Sequence, residues 1–505
     1  MTDWRIVRHR APEGALDAGA LARRPTATVV GGGIAGLCAA TGLAERGVRV
    51  VVVEQHDYLG GRVGAWSGSL PGGSRVSMSR GFHAFFRQYY NLRQLLRRAD
   101  PALSRLRGLR DYPLVDARGR WESFRGLPRT PPWNALAFAL RSPTFGIRDL
   151  AHVDVRAAAE LVGVSVPRIY ERLDHLDAES YLRRINFPDA ARHLAFEVFS
   201  RSFFAEPSRM SAAELATMFH LYFLGSSEGL VFDVPDAAFD VALWSPLRKH
   251  LLALGVEFRT GTRVASVENL GEQGFRVHDS SGRSDRTDAA VLATDVRGLR
   301  EIVGASPGLG TPSWRDSVQS LRSAPAFLVH RLWLSRPVAP DRPAFLATAG
   351  RPPLDNVSVL DRYEREAQSW ARRNGGSVVE LHAYATERDE SVPARLRARL
   401  HEVYPEAESA DVVGEIALWN DDCPLPGVGD FARRPRVRTP HGGLVLAGDG
   451  IRIDLPVALM ERAAATGWHA ANHLLARWGL AGHPLYTVPT RGRSAPLRAL
   501  AGLVR

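Results

Sequence analysis

Cysteine and lysine are almost missing from this chain of 505 residues. With only Cys38 and Cys423, no disulfide framework can be built, which excludes the small cross-linked secreted folds and suits a reducing cytoplasm. Cys38 falls inside a predicted helix and reads as packing, while Cys423, beside Pro424, has no neighbour that names a role. Lys249 is the sole lysine, so the cations behind the formal net charge of +11 are nearly all arginine. No stretch approaches the roughly 18 uncharged apolar residues that a membrane-crossing helix needs. The histidines show no metal-ligand spacing, so no metal site is expected. Nor do the basic residues form a nucleic-acid-binding module, and no nucleic-acid partner is expected. Residues 1–25 carry Arg5, Arg8, Arg10, Arg23 and Arg24 without the apolar core of a signal peptide, and read as a disordered basic tail.

Hydrophobic residues make up 45% of the chain, ample for a large core and two or three domains. The most organised stretch is Val29-Val30-Gly31-Gly32-Gly33-Ile34-Ala35-Gly36-Leu37, read together with Glu54. Thr28, Val29 and Val30 make a short buried strand, and 34–46 reads as the helix that follows. Gly31, Gly33 and Gly36 keep the G-x-G-x-x-G spacing of a dinucleotide turn. The first glycine permits the tight turn, the second lets backbone approach a pyrophosphate, and the third lets helix and strand pack closely. Ile34 and Ala35 then present the helix N-terminus to the phosphates. Gly47 stops the helix, and 48–53 forms a second apolar strand ending at Glu54, a carboxylate placed for ribose hydroxyls.

Leu59-Gly60-Gly61-Arg62 follows almost at once. An acid followed by this Gly-Gly-Arg turn resembles the second signature of the FAD-containing amine oxidase and carotenoid desaturase superfamily. The resemblance implies FAD as cofactor, with Gly60, Gly61 and Arg62 lying along its diphosphate, a match of charge and geometry for a guanidinium. It also implies an α/β fold: a Rossmann-type, glutathione-reductase-like FAD-binding domain with an interleaved α+β substrate domain. The FAD domain is expected from 26–90, 232–300 and 421–475, the substrate domain from 91–231 and 301–420, and a tail from 476–505.

In that superfamily the stretch matching Met78 to Asn91 passes beside the flavin ring. Gly81 would permit close approach, His83 is a candidate polar group there, and the aromatics around it would line an apolar cavity. Segments 131–140 and 215–224 read as apolar helices, either buried core or the wall of a chamber for a long hydrophobic substrate. A helix at 245–254 and strands at 255–259 and 262–268 resemble the superfamily's segment whose valine backbone contacts the adenine, here Val264. Strands at 275–279 and 289–294 follow, and 323–421 reads as a mixed sheet with flanking helices. The run 443–450 is a strand ending in Gly448-Asp449, where the family's aspartate accepts a ribityl hydroxyl. A helix over 455–467, with Pro456 in its first turn, would aim its positive end at the flavin.

Two longer strings narrow the likeness. Arg80-Gly81-Phe82-His83-Ala84-Phe85-Phe86-Arg87-Gln88-Tyr89-Tyr90-Asn91-Leu92-Arg93 is one. The other runs from Ala447 through Gly448, Asp449, Asp454 and Pro456 to Arg462. Together they resemble the bacterial β-carotene desaturase/methylases, the isorenieratene synthases, over nearly all of the chain from Pro25. This implies aromatisation of β-ionone end rings by hydrogen removal with a 1,2-methyl shift. The implied partners are a carotenoid substrate and an external electron acceptor, with a quinone as one candidate. The implied location is cytoplasmic, peripheral at the inner face of the cell membrane, where arginines would meet anionic lipid. Asp454 is the first candidate for the finishing base or counter-charge, and His83 the second. Two alternatives stay open: a desaturase or isomerase acting on a linear polyene, and a flavoprotein that binds carotenoid without chemistry. A flavin amine oxidase is set aside, because many of those hold a lysine near the flavin and Lys249 sits in the predicted linker helix.

Overall fold

The β-branched runs on either side of the first glycines become the centre of a parallel sheet. In the computed structural model, which describes residues 3–144, 151–186 and 204–504, five strands lie in the order Glu257–Arg259, Arg49–Val53, Thr26–Val30, Ala289–Leu292, Leu444–Leu446. Every neighbouring pair is parallel. Parallel strands are covered on both faces, which is why these segments read as unbroken apolar runs. The helix Ile34–Ala44 is buried along its whole length, against the sheet and against the helix Leu459–Arg477. The two helices approach so closely that a Cβ on Gly467 would lie 2.2 Å from the Ala35 carbonyl oxygen. A separate antiparallel sheet, Val264–Asn269, Phe275–Asp279 and Ser284–Thr287, follows the outermost parallel strand.

A second large sheet has seven strands in the order Val412–Asn420, Phe327–Leu334, Ser377–Ala383, Asn356–Val359, Phe345–Thr348, Leu114–Val115, Trp121–Glu122. It is antiparallel except where Phe345–Thr348 runs parallel to Leu114–Val115. The strand Phe327–Leu334 is buried throughout, and its alternation decides what covers each face. Leu328, Leu332 and Leu334 pack with Val392, Leu396 and Leu400 of the helix Val392–Val403. Phe327, Val329 and Trp333 join Ala367 and Trp370 of the helix Arg365–Asn374 on the opposite side.

Two kinds of expectation need correction, the terminal tails and one helix start. Residues 3–25 are not a loose tail: Val7–His9 pairs antiparallel with Leu485–Thr487. Buried Asp3 accepts from the Ser227 backbone N–H at 2.7 Å and binds the Arg493 guanidinium. An arginine-rich composition concealed a strand whose partner lies at the other end of the chain. That partner strand and the helix Ala495–Val504, which packs on Val155–Val162, make the expected C-terminal tail part of the fold as well. The second correction concerns Pro456, which precedes the last long helix rather than opening it. Leu459 begins that helix with a φ of 52°, and this left-handed turn stops helical backbone from running back to Pro456.

Candidate active site

The strand ends of the parallel sheet open onto one cavity of about 880 Å³. Its first half is built from backbone. Helix Ile34–Ala44 starts at Gly33 with no side-chain cap and no acid in its first turn, so its leading N–H groups are left for an anion. Gly36 is not in the lining, and it explains how the helix comes so near the strand. A Cβ there would lie 1.9 Å from the Gly31 carbonyl oxygen. Gly31, Gly33, Ile34 and Ala35 line the cavity, as do Gly60, Gly61 and Arg62 from the facing turn. Glu54 is buried at its edge and held in place, accepting from Gly32 N–H at 2.6 Å and His56 N–H at 2.9 Å. Val264, Gly448 and Asp449 complete this half, with Arg62 Nη2 2.5 Å from Asp449 Oδ1. A glycine cradle, uncapped helix N–H groups and a guanidinium form a donor set that fits a dinucleotide diphosphate.

The second half is a chamber of aromatic rings. Phe82 stacks on Phe345 at 4.3 Å and meets Phe232 edge-on at 5.5 Å, with Tyr112 against both of those partners. Phe86, Tyr89 and Phe204 also face it. Residues 215–224 do not line the cavity. Tyr222 stands behind the wall, its ring against Phe86 and its hydroxyl 2.5 Å from that of Tyr89, so this segment is core. Of the 131–140 segment, Asn134 and Phe138 face inward, whereas Trp133, Leu136 and Leu140 face solvent.

His83 lies in the lining. Burial pushes its imidazole down to about 4, against partial support from the Gly81 carbonyl, so the ring is neutral and Nδ1–H donates to Gly81 O at 2.9 Å. Gly81 stands just behind, with a φ of 101°. Asp454 is a correction. It is absent from the lining and lies between two arginines, 3.0 Å from Arg436 Nη1 and 2.9 Å from Arg452 Nε. Burial alone would raise its carboxyl; the two guanidinium groups outweigh that and hold it below its ordinary range, so it is a committed counter-ion, not a base. Lys249 is exposed on the helix Ser245–Ala253 and away from the cavity. Cys423 lines the cavity, and burial pushes its thiol up to about 12, which leaves it unreactive.

Sequence reasoning passed over a second polar group in the chamber. Glu380, His382 and Tyr384 alternate along the strand Ser377–Ala383 and the residue after it, so they share one face. His382 and Tyr384 line the cavity, with Asn356 opposite His382 on the neighbouring strand. Three polar residues at period two inside an otherwise apolar run were the available signal.

A model of the family described as flavin containing amine oxidoreductase matches residues 34–475. The chain belongs to that family. It is 56% identical over 482 residues to carotenoid phi-ring synthase of Streptomyces griseus, a match covering 95% of this chain and 93% of the relative. A carotenoid phi-ring synthase of Chlorobaculum tepidum is 26% identical over 588 aligned positions, covering 92% and 91%. Among solved structures, a putrescine oxidase double mutant shares the fold with a TM-score of 0.65 at 17% identity, covering 90% of this chain and 99% of that one. As a member of this family the chain is an FAD-dependent oxidoreductase with a Rossmann-type α/β fold.

Proposed function

We propose that this flavoenzyme aromatises cyclic end groups of carotenoids, dehydrogenating a β-ionone ring with a 1,2-methyl shift. The observation that carries the reading is the continuity of one cavity, a dinucleotide cradle at one end and a chamber of aromatic rings at the other. The identity to carotenoid phi-ring synthases supplies the substrate class.

In this reading Glu54 holds the ribose hydroxyls and the backbone at Val264 meets the adenine. The N–H groups of Ile34 and Ala35, with Gly31, Gly33, Gly60, Gly61 and Arg62, hold the diphosphate. Asp449, next to Gly448, takes a ribityl hydroxyl. Bound FAD supplies the two-electron acceptor for dehydrogenation. The chain's own residues do the rest. Phe82, Phe345, Phe232 and Tyr112 exclude water and hold a flat hydrocarbon ring, and their π faces tolerate positive charge developing on it. The methyl group migrates within the ring, so no methyl donor site is needed.

A hydrocarbon substrate dissolved in lipid calls for a surface that meets lipid. Among the described residues no helix is long and apolar enough to cross a membrane. The helix Trp133–Arg141 instead exposes Trp133, Leu136 and Leu140 on one face, amid exposed Arg118, Arg125, Arg129 and Arg141. Its inner side leads to the chamber through stacked rings: Phe138 on Phe124 at 4.9 Å, then Phe124 against Tyr112. We read this helix as the seat on an anionic membrane surface. A membrane-borne quinone suits the same face as electron acceptor.

Pigment analysis of cells making β-carotene, with and without this chain, tests the proposal. New carotenoids with aromatic end rings are expected. Unchanged β-carotene beside altered linear polyenes would favour the desaturase alternative, and no change with either substrate would favour a silent carrier.

A further inference from the structure

Glu380, His382 and Tyr384 make a hydrogen-bonded file that starts in the core and ends in the chamber. Glu380 is fully buried and faces Arg331, its cross-strand neighbour, with Oε2 2.6 Å from Nη2 and 2.9 Å from Nε. Arg331 is held in turn by the Ser77 carbonyl and the Ser79 hydroxyl, each at 2.8 Å. The other carboxylate oxygen, Oε1, lies 2.8 Å from His382 Nε2. His382 Nδ1 lies 2.7 Å from the Tyr384 hydroxyl, which also receives Asn356 Nδ2–H at 3.0 Å.

We propose that Tyr384, relayed by His382, accepts the proton released when the end ring becomes aromatic, with Glu380 positioning the imidazole. The proposal rests on the ring-aromatising reading above and adds the base that reading lacks.

The protonation states follow from the partners. Burial would raise the Glu380 carboxyl, but the Arg331 guanidinium and the His382 hydrogen bond hold it at about 2, so it is a carboxylate. A carboxylate at 2.8 Å puts a proton on His382 Nε2; the Phe82 N–H, 3.3 Å from the same nitrogen, is the longer contact. Nδ1 therefore carries the lone pair and accepts the Tyr384 O–H. Burial raises the Tyr384 phenol above its ordinary range, so the hydroxyl keeps its proton at neutral pH. With one proton given to His382 and one hydrogen bond taken from Asn356, the Tyr384 oxygen retains a lone pair, on a residue that lines the cavity.

Going from one ring double bond to three removes four hydrogens, as two hydrides and two protons. FAD, when bound, would supply the acceptor for the two hydrides, with an external oxidant of the quinone class to restore it. Each proton leaves a ring carbon beside positive charge, and the electrons of its C–H bond become a ring double bond. As the Tyr384 oxygen takes that proton, its own passes to Nδ1, and the imidazolium formed faces the Glu380 carboxylate. Among the described residues no carboxylate is hydrogen-bonded to His83, and Asp454 is outside the cavity. A base backed in this way contributes roughly 10²–10⁴-fold to a rate.

The test uses the FAD-loaded protein and β-carotene in mixed micelles, with Y384F, H382Q, E380Q, E380D and, as a control outside the cavity, D454N. Anaerobic flavin bleaching and aromatic product are followed separately. Y384F and H382Q should keep FAD and still bleach while aromatic product falls by about 10²–10⁴-fold. E380Q should lower kcat at unchanged KM, E380D should recover part of it, and D454N should match the wild type. A readout that needs no turnover guards against misfolded variants: 15N resonances of the unsubstituted protein should place the His382 proton on Nε2. Aromatic product within threefold of wild type in Y384F and H382Q overturns the assignment, as does a proton on Nδ1. If the wild type bleaches but makes no aromatic ring, the ring-aromatising reading itself falls, and the assignment with it.

Discussion

Arg62 and Asp449 stand 387 positions apart and meet at 2.5 Å. One comes from the turn after the second parallel strand, the other from the end of the last, so their contact closes the cradle from both sides of the sheet. Each is only partly buried, and each has capacity left for a further partner. Hydrogen bonds to charged groups contribute about 1.5–3 kcal/mol. Arg62→Ala and Asp449→Ala should therefore each weaken FAD binding by about 10- to 100-fold, read as the fluorescence of released flavin on dilution. Affinities within twofold of the wild type would remove both residues from the cofactor site.

Glu214 holds the cradle to the helices around it. It is fully buried between Arg434, at 2.5 Å, and Arg462, at 2.7 Å, the latter on the helix whose first turn lines the cavity. Burial would raise its carboxyl, yet the two guanidinium groups pull it to about 2 from an ordinary 4.5. A depressed carboxyl stabilises the fold fully above the unfolded value, and the contribution drains away as pH falls from 4.5 towards 2. Glu214→Gln leaves two buried cations short of charge and should cost about 3–5 kcal/mol in urea unfolding at pH 7. The gap to wild type should narrow at pH 3. A pH-independent gap would mean the loss is one of packing.

The exposed helix face makes a prediction independent of chemistry. Trp133, 61% exposed, and Leu140, 59% exposed, leave most of their surface outside the protein core. Replacing Trp133, Leu136 and Leu140 by Ser together should leave melting temperature and FAD content unchanged. Co-sedimentation with phosphatidylglycerol vesicles should fall by about 10-fold or more, given roughly 25 cal/mol for each Å² of apolar surface returned to water. Binding that persists in the triple variant but disappears in high salt would assign it to arginine alone.

What was legible in the sequence was local. The glycines at 31, 33 and 36, the acid at 54 and the Gly60-Gly61-Arg62 turn lie within one strand–helix–strand unit, where spacing alone decides geometry. Asp454 misled because its position before a helix that fronts the cavity was readable, whereas Arg436, which claims it from another segment, was not. The strand at residues 7–9 was hidden for the same reason, its partner lying at 485–487. Glu380, His382 and Tyr384 announced a shared face by alternation, but their meaning depends on Arg331 across the sheet and on the chamber that Phe82 and Phe345 close. Pairing between distant strands carries no local pattern, and that is where the chemistry of this cavity was concealed.

Gly81 joins the two halves of the site, and its replacement separates shape from stability. Its φ of 101° is a conformation that side chains resist, and a Cβ there would lie 2.8 Å from both His382 Cε1 and Val329 Cγ2. His382 cannot retreat, because Glu380 and Tyr384 hold its two ring nitrogens. Val329 is wholly buried in the large sheet. Gly81→Ala must therefore push the 80–83 segment towards the cavity or rotate the imidazole off its partners. Strain of this kind costs about 1–3 kcal/mol, a melting shift small enough to leave a folded, FAD-bearing protein. Turnover should fall much further than stability, because the displaced segment carries Phe82 and His83 into the space the substrate ring needs. Equal losses in melting temperature and turnover would mean that Gly81 serves only the fold.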